Sequence, residues 1–283
     1  MKETYSCQEA IEKCLTSRRF AIAHLLFEEK TMAMHIHDCY ELYYSISGGK
    51  QFLIDSTCYS VNPGDLFIIN NYESHCLSRV DASSHERIVI SIHPDYLKSL
   101  SSPETDLNRC FRTREGNAKC KLSLPPESQN RFLYLVHKLQ EVKGYGADLM
   151  ENAIFTELMV LVNRLYGAGE EEAETYQYHP VVERIVSHIN SHIGERITLS
   201  ALADSLFLSQ AFLCRVFKAE TGTTINKYIT ARRISIAKAK LGSGSTVAEA
   251  CEQSGFNDYT NFVTLFTRLV GITPKQYALH NAR

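Results

Sequence analysis

The chain has 283 residues, 44% hydrophobic and 22% charged, which suits two globular domains of roughly 100–200 residues each and excludes fibrous, collagen-like and wholly disordered proteins. No run approaches the ~20 apolar residues that cross a bilayer, and Glu3, Glu9 and Glu12 stand where a signal peptide would be apolar, so a cytoplasmic protein without membrane association is expected. The net charge of −2 is segregated, with 12 Lys+Arg against 7 Asp+Glu from His179 to Arg283 and 18 against 25 elsewhere; a basic final third points to a polyanionic partner.

From about Phe20 to Ser91, short apolar runs such as ELYYSIS, DLFII and RIVISI are broken every 8 to 12 residues by turn signals, among them Gly48-Gly49 and Pro63-Gly64. That rhythm predicts an all-β barrel or sandwich. Inside it stands His35-Ile36-His37-Asp38-Cys39-Tyr40-Glu41, and the second half adds Pro63-Gly64-Asp65 and His75. On a strand His35 and His37 share a face, inward if Ile36 points out; Glu41 lies two alternations further along, and Tyr43 keeps its parity. The nine cysteines form no CxxC pair and are odd in number, which reads as reduced thiols serving mostly as small core hydrophobes.

After Pro125-Pro126 the spacing turns helical. Phe132, Leu135, Val136 and Leu139 share one face, and Leu149, Ile154, Leu158, Leu161, Val162 and Leu165 form a second stripe. Two antiparallel helices packed on the barrel are expected, the one from Asp148 to Tyr166 being the candidate contact of a homodimer. The stretch from Gly167 to Tyr178 holds four glutamates and no aliphatic residue larger than alanine, too little to bury, so a linker is placed there. The expected division is a β-rich domain with its two following helices over 1–166, an acidic linker over 167–179 and a helical domain over 180–283.

In that last region Val182, Ile185, Val186 and Ile189 make an amphipathic helix. Thr198 caps a short helix from Leu199 to Leu206, and after a turn Ser209 caps a second, ended by Gly222. The unit recurs at an offset of 49 residues: Ser205 matches Ser254, Phe207 Phe256, Phe217 Phe266, Gly222 Gly271, Thr224 Thr273 and Tyr228 Tyr277. One helix, about Ile225 to Leu241, joins the two units. At 1.5 Å per residue it spans roughly 25 Å, which together with the units' own offsets suits two reading helices one DNA turn, ~34 Å, apart. Arg215, Lys218, Lys227, Arg232, Arg233, Lys238, Lys240 and Arg268 are read as its basic surface.

The stretches LADSLFLSQAFLCRVFKAETGTTINKYITARRISIAKAKL and EACEQSGFNDYTNFVTLFTRLVGITPKQY resemble the DNA-binding domain of AraC/XylS-type transcriptional regulators. The resemblance places base-reading positions on Ala211, Cys214 and Arg215 in the first reading helix and on Tyr259, Thr260 and Thr264 in the second. Phosphate contacts are expected from Ser209, Lys218, Lys227, Arg232, Arg233 and Arg268. Thr264 and Thr267 stand where the family usually has arginine and lysine, so the second unit is expected to read sequence weakly. Ser254, in place of a usual valine, puts a hydroxyl near a helical core and needs a partner. Double-stranded DNA, a homodimeric partner and RNA polymerase follow as partners implied by the resemblance.

The spacing His35-x-His37-x-x-x-Glu41, with Gly48, Pro63-Gly64 and the later His75, resembles both cupin motifs and implies a cupin-like barrel. The fold class is therefore α+β multidomain: a cupin-like β-barrel with two following helices, then an all-α domain with two helix-turn-helix motifs joined by a long helix. Three uses of the polar set are open. His35, His37, Glu41, Tyr43 and His75 could line a metal-free pocket for a small-molecule effector, a carbohydrate being one type; His35, His37, Glu41 and His75 could hold a divalent metal; or they could be satisfied core residues. The competing function class, a metal-dependent cupin enzyme with a helical tail, leaves the duplicated unit and the charge segregation unexplained. No catalytic residue and no obligatory cofactor are expected.

Overall fold

The computed structural model describes residues 6–26, 34–49, 51–78, 85–112, 120–168 and 179–281. Helix α1 (Cys7–Ser17) opens with a capping box in which Ser6 and Glu9 satisfy each other's backbone amides. Strands β1 (Phe20–Leu25), β2 (Tyr40–Ser45), β3 (Gln51–Ile54), β4 (Thr57–Ser60), β5 (Asp65–Ile69), β6 (His75–Ser78) and β7 (Arg87–Ile92) follow. Next come α2 (Pro94–Leu100), α3 (Arg109–Arg112), β8 (Lys121–Ser123), α4 (Pro126–Glu141) and α5 (Ala147–Ala168). The strands form a five-stranded sheet in the order β1-β7-β2-β5-β8 and a three-stranded sheet in the order β4-β3-β6. They do not close into one hydrogen-bonded ring, so the cupin-like barrel is an open jelly roll of two facing sheets.

Alternation explains why β2 and β7 are buried along their whole length. Tyr43, Phe67 and Val89 point between the sheets, where they meet Phe52, Ile54 and Leu77 of the smaller one. Leu42, Tyr44, Ile68, Ile88, Ile90 and Ile92 point to the other side and pack on Phe132, Leu135, Ile154, Phe155 and Leu158 of α4 and α5. A strand covered on both faces reads as a continuous apolar run. The second stripe differs from expectation at its start, because Leu149 is 68% exposed. Helix α5 also runs on through Gly167 and Ala168, the first residues assigned to the linker; its remainder, 169–178, lies outside the described residues.

The C-terminal region is helical throughout: α6 (Pro180–Ser191), α7 (Leu199–Leu206), α8 (Gln210–Thr221), α9 (Ile225–Gly242), α10 (Val247–Gln253), α11 (Tyr259–Val270) and α12 (Pro274–Asn281). Thr198, Ser209, Thr246 and Asp258 cap their helices through side-chain oxygens. Ser254, fully buried, donates to the carbonyls of Ala250 and Cys251, at 2.5 and 3.1 Å, which supplies the partner its hydroxyl requires. Gly255 has φ +80°, and a Cβ there would stand 2.1 Å from the Ile193 carbonyl oxygen; only glycine fits. Among the described residues no single helix is long and apolar enough to cross a membrane.

The two regions share cores. Leu53, Cys58 and Cys76, on the outer face of the three-stranded sheet, join the cluster formed by α6 to α9. Ile36 joins the second cluster, with Ile234, Phe262, Phe266 and Tyr277. None of the nine cysteines is in a disulfide and seven are buried, as small hydrophobes would be.

Candidate functional site

On α8 the residues Ala211, Cys214, Arg215 and Lys218 are exposed while Leu213 and Phe217 are buried beneath them. Positions i, i+3, i+4 and i+7 make one helical face, so the positions expected to read bases in the first unit form a single solvent-facing strip. Ser209 sits at the N-cap, and its hydroxyl accepts from the Phe212 amide at 3.3 Å. Arg215 lies 5.7 Å from the centre of the Phe212 ring. On α11 the strip is Tyr259, Thr260, Thr264 and Arg268, above buried Phe262 and Phe266. It carries one cation, and the Thr264 hydroxyl donates to the Thr260 carbonyl at 2.8 Å.

Three cations of α9 are not where the sequence reading put them. Arg232 pairs with Asp55 of the β3–β4 turn at 2.6 Å. Arg233 donates through Nε to Ile193 O at 3.1 Å and also bonds Glu195 O, so it ties α9 to the end of α6. Lys238 is 0% exposed; its ammonium reaches Asp38 Oδ1 at 2.8 Å, His37 O at 3.0 Å and Asn71 O. Arg232, Ser235 and Lys238 recur every three residues, and Ser235 bonds Tyr72 O. This face of α9 is seated on the jelly roll. In this arrangement Arg232 and Arg233, expected to contact phosphate, are both engaged by protein acceptors and half-buried. Lys227 remains exposed.

At the end of the jelly roll nearest α9, His35, His37, Glu41 and His75 converge, with one donor atom from each within 4.8 Å of the others. His35 is not part of a continuous strand. It forms an isolated antiparallel bridge with His75, with N–H···O distances of 3.0 Å in both directions, while Glu41 lies on β2. Nδ1 of His37 bonds Cys39 O at 3.0 Å, and Nδ1 of His75 bonds Glu73 O at 3.0 Å. The opposite nitrogens face Glu41 Oε2, at 3.1 Å from His37 and 3.8 Å from His75. Burial pulls the His37 imidazole down, but Cys39 and the Glu41 carboxylate outweigh it and raise its pKa to about 9. Burial likewise opposes the charge on His75 and is outweighed by Glu41, and burial would raise Glu41, yet the two imidazoles hold it well below the carboxylate range. The cluster thus concentrates demand for positive charge in a buried place.

Deeper between the sheets, Tyr43 shares the parity of Glu41 and its hydroxyl lies 2.8 Å from His85 Nε2, whose Nδ1 bonds Gly48 O at 3.0 Å. A carbonyl only accepts, so His85 is protonated on Nδ1 and its Nε2 accepts the hydrogen bond donated by the Tyr43 hydroxyl. Burial and the nearby Arg87 lower the His85 pKa, consistent with a neutral ring. Arg87 is 2% exposed and its Nε has no hydrogen-bond partner. Neither His85 nor Arg87 belonged to a motif; period-two alternation inward from Val89 would have found Arg87. A cavity of about 570 Å³ opens onto the cluster, lined among others by Ile11 and Leu15 of α1, His35, His37, Arg87 and Arg268.

Known proteins resemble both regions. The model of an AraC-like ligand binding domain matches residues 22–159, and that of a helix-turn-helix domain matches residues 202–279. The HTH-type transcriptional activator RhaR of Escherichia coli (strain K12) is 24% identical over 260 residues, covering 91% of this chain and 90% of that protein. Among solved structures, ToxT from Vibrio cholerae O395 is 16% identical, with 93% of this chain and 98% of that chain covered and a TM-score of 0.37. The C-terminal domain of AraT, a response regulator from Geobacillus stearothermophilus, is 28% identical over 37% of this chain and 88% of its own, with a TM-score of 0.36.

Proposed function

Because the chain belongs to the AraC family of DNA-binding transcriptional regulators, we propose that α8 and α11 read DNA under the control of an effector bound at the polar end of the jelly roll. His35, His37, Glu41, Tyr43 and His75 line that end, with His85 and Arg87 beyond them. The observation that carries this reading is the buried Lys238, held by His37 O and Asp38, next to the polar cluster. Extended backbone sends alternate side chains to opposite sides. His35 and His37 therefore face the cluster, while Ile36 enters the core of the second helix-turn-helix unit and Asp38 grips α9. An effector touching the imidazoles acts on the segment that contributes Ile36, His37 O and Asp38 to the hold on the DNA-binding region.

The latched arrangement sequesters Arg232 and Lys238, two cations of the helix between the reading units. It is therefore the state with weaker affinity for a polyanion. An effector that favours the released state raises DNA affinity, and a coupling of ~1–3 kcal/mol corresponds to roughly 5- to 150-fold. The exposed Leu149, Met150, Tyr145 and Tyr134 near the junction of α4 and α5 support a homodimer contact there.

The test uses Asp38→Asn and Asp55→Asn, whose carboxylates are partly exposed and so tolerate change. Affinity is measured by fluorescence anisotropy on a duplex selected from a random library. Both variants are expected to bind DNA more tightly than the parent without any effector, with a steeper dependence on salt. Unchanged affinity in both would overturn the latch.

A further inference from the structure

We propose that the cavity at the end of the jelly roll takes a small organic monocarboxylate with an apolar body, and that Arg87 is the counter-ion of its carboxylate. Its role as the effector rests on the reading given above, whereas its binding rests on Arg87 and the cavity walls alone.

Arg87 begins β7, is almost fully buried and lines the cavity. Among the described residues its guanidinium meets no carboxylate. Nε bonds nothing, and the bond from Nη1 to His85 O is long at 3.5 Å. The acids at this end are engaged elsewhere: Glu41 faces His37 and His75, Asp38 holds Lys238, and Glu12, on the cavity rim, is exposed and accepts from the Gln8 amide at 3.0 Å. Tyr43 and His85 satisfy each other. Guanidinium groups keep their proton in proteins, and a charge taken out of water is stable only when it is paired. A carboxylate is the fitting partner, since its two oxygens match an edge of the guanidinium fork in a bidentate pair.

The rest of the cavity selects the body of the ligand. Its volume of about 570 Å³ far exceeds an inorganic ion and lies in the range of small-molecule sites. Ile11 and Leu15 of α1, Ile36, and Leu269 and Val270 of α11 give it apolar walls, and Arg268 adds a second positive charge at the exposed rim. A neutral sugar could accept hydrogen bonds from Arg87, but it would leave the charge uncompensated and set hydroxyls against the apolar walls. An acid with an apolar body meets both demands.

The experiment is calorimetry on the full-length chain, comparing straight-chain acids from acetate to octanoate, and cyclohexanecarboxylate, with the matching amides at constant ionic strength in chloride. The expected result is one acid bound per chain, with a preference of roughly 10- to 100-fold for the best acid over its amide, as a charge-assisted pair supplies. Arg87→Met should abolish that preference. Gln8→Glu, an exposed change that leaves the core intact and sets a further carboxylate on the rim, should weaken the acid roughly two- to fivefold and leave the amide unchanged. No acid bound more tightly than its amide, a preference that survives Arg87→Met, or a loss in Gln8→Glu shared equally by acid and amide overturns the site. Each of these results is separate from the latch, which Asp38→Asn and Asp55→Asn test without any ligand.

Discussion

The first helix-turn-helix unit, α7 and α8, rests its core on the outer face of the three-stranded sheet through Leu53, Cys58 and Cys76, whereas Ile36 alone among the described buried N-terminal residues enters the core of the second, α10 and α11. Their reading strips differ as well. The first exposes Arg215 and Lys218 together, the second Tyr259, Thr260 and Thr264 with Arg268 at its far end. Duplication supplied one backbone plan, and each copy has since met a different neighbour. The broad docking of the first unit makes it the more firmly held of the two, and its exposed guanidinium is the group better suited to a guanine edge. The second, held through the segment that carries two histidines, is the one an event at the cluster can move.

The largest effect expected from perturbing this pair comes from their turns. Gly255→Ala forces a Cβ to 2.1 Å from Ile193 O and 2.9 Å from Gly194 Cα at φ +80°, and backbone atoms on both sides cannot yield cheaply. A loss of roughly 3 kcal/mol or more is expected, measured by denaturant unfolding. Gly271→Ala, at φ +88° with open space around it, should cost only about 1–2 kcal/mol, the left-handed penalty alone. Equal costs would mean that the second unit does not pack against the end of α6 as described.

Next in size is base reading. Arg215→Ala should lose about 1–3 kcal/mol at the selected duplex and far less on random DNA, because a guanidinium can engage a guanine edge through two donors. Thr264→Ala, at the corresponding place in the second unit, should lose less than about 1 kcal/mol, since a single hydroxyl offers no such pair. Competition binding against random duplex separates the two. A larger loss at Thr264 would reverse the assignment of reader and follower.

Most of this architecture was legible from local rules. Turn signals at short intervals, the caps Thr198, Ser209, Thr246 and Asp258, and the 49-residue repeat each follow from chemistry within a few positions. The common placement of His35, His37 and Glu41 was read from strand parity and that of His75 from the resemblance to the cupin motifs, although His35 stands on an isolated bridge rather than on a strand. What the sequence did not disclose is the latch. Asp55 meets Arg232 and Asp38 meets Lys238 across 177 and 200 residues of chain, and no local pattern distinguishes a lysine bound for phosphate from one bound for a buried carboxylate. Helix α9 is also buried on more than one side, so its periodicity gave no single polar face on which to seat the cations. His85 escaped for a related reason: its partners, Tyr43 and Gly48 O, are distant in sequence.

The smallest effect is the sharpest on that point, because it distinguishes a cation on phosphate from one committed within the protein by slope rather than by affinity. Each phosphate contact releases condensed counterions, so removing one flattens the plot of log affinity against log salt by about 0.9. Lys218→Ala on α8 and Lys227→Ala on α9, both exposed, should each do this. Arg233→Ala should not, because its guanidinium is committed to Ile193 O and Glu195 O within the protein. Its loss instead loosens the seam between α6 and α9 and should appear as reduced stability with the salt slope intact. A flattened slope for Arg233→Ala would return that residue to the DNA surface and show that α9 turns on its axis when DNA is bound.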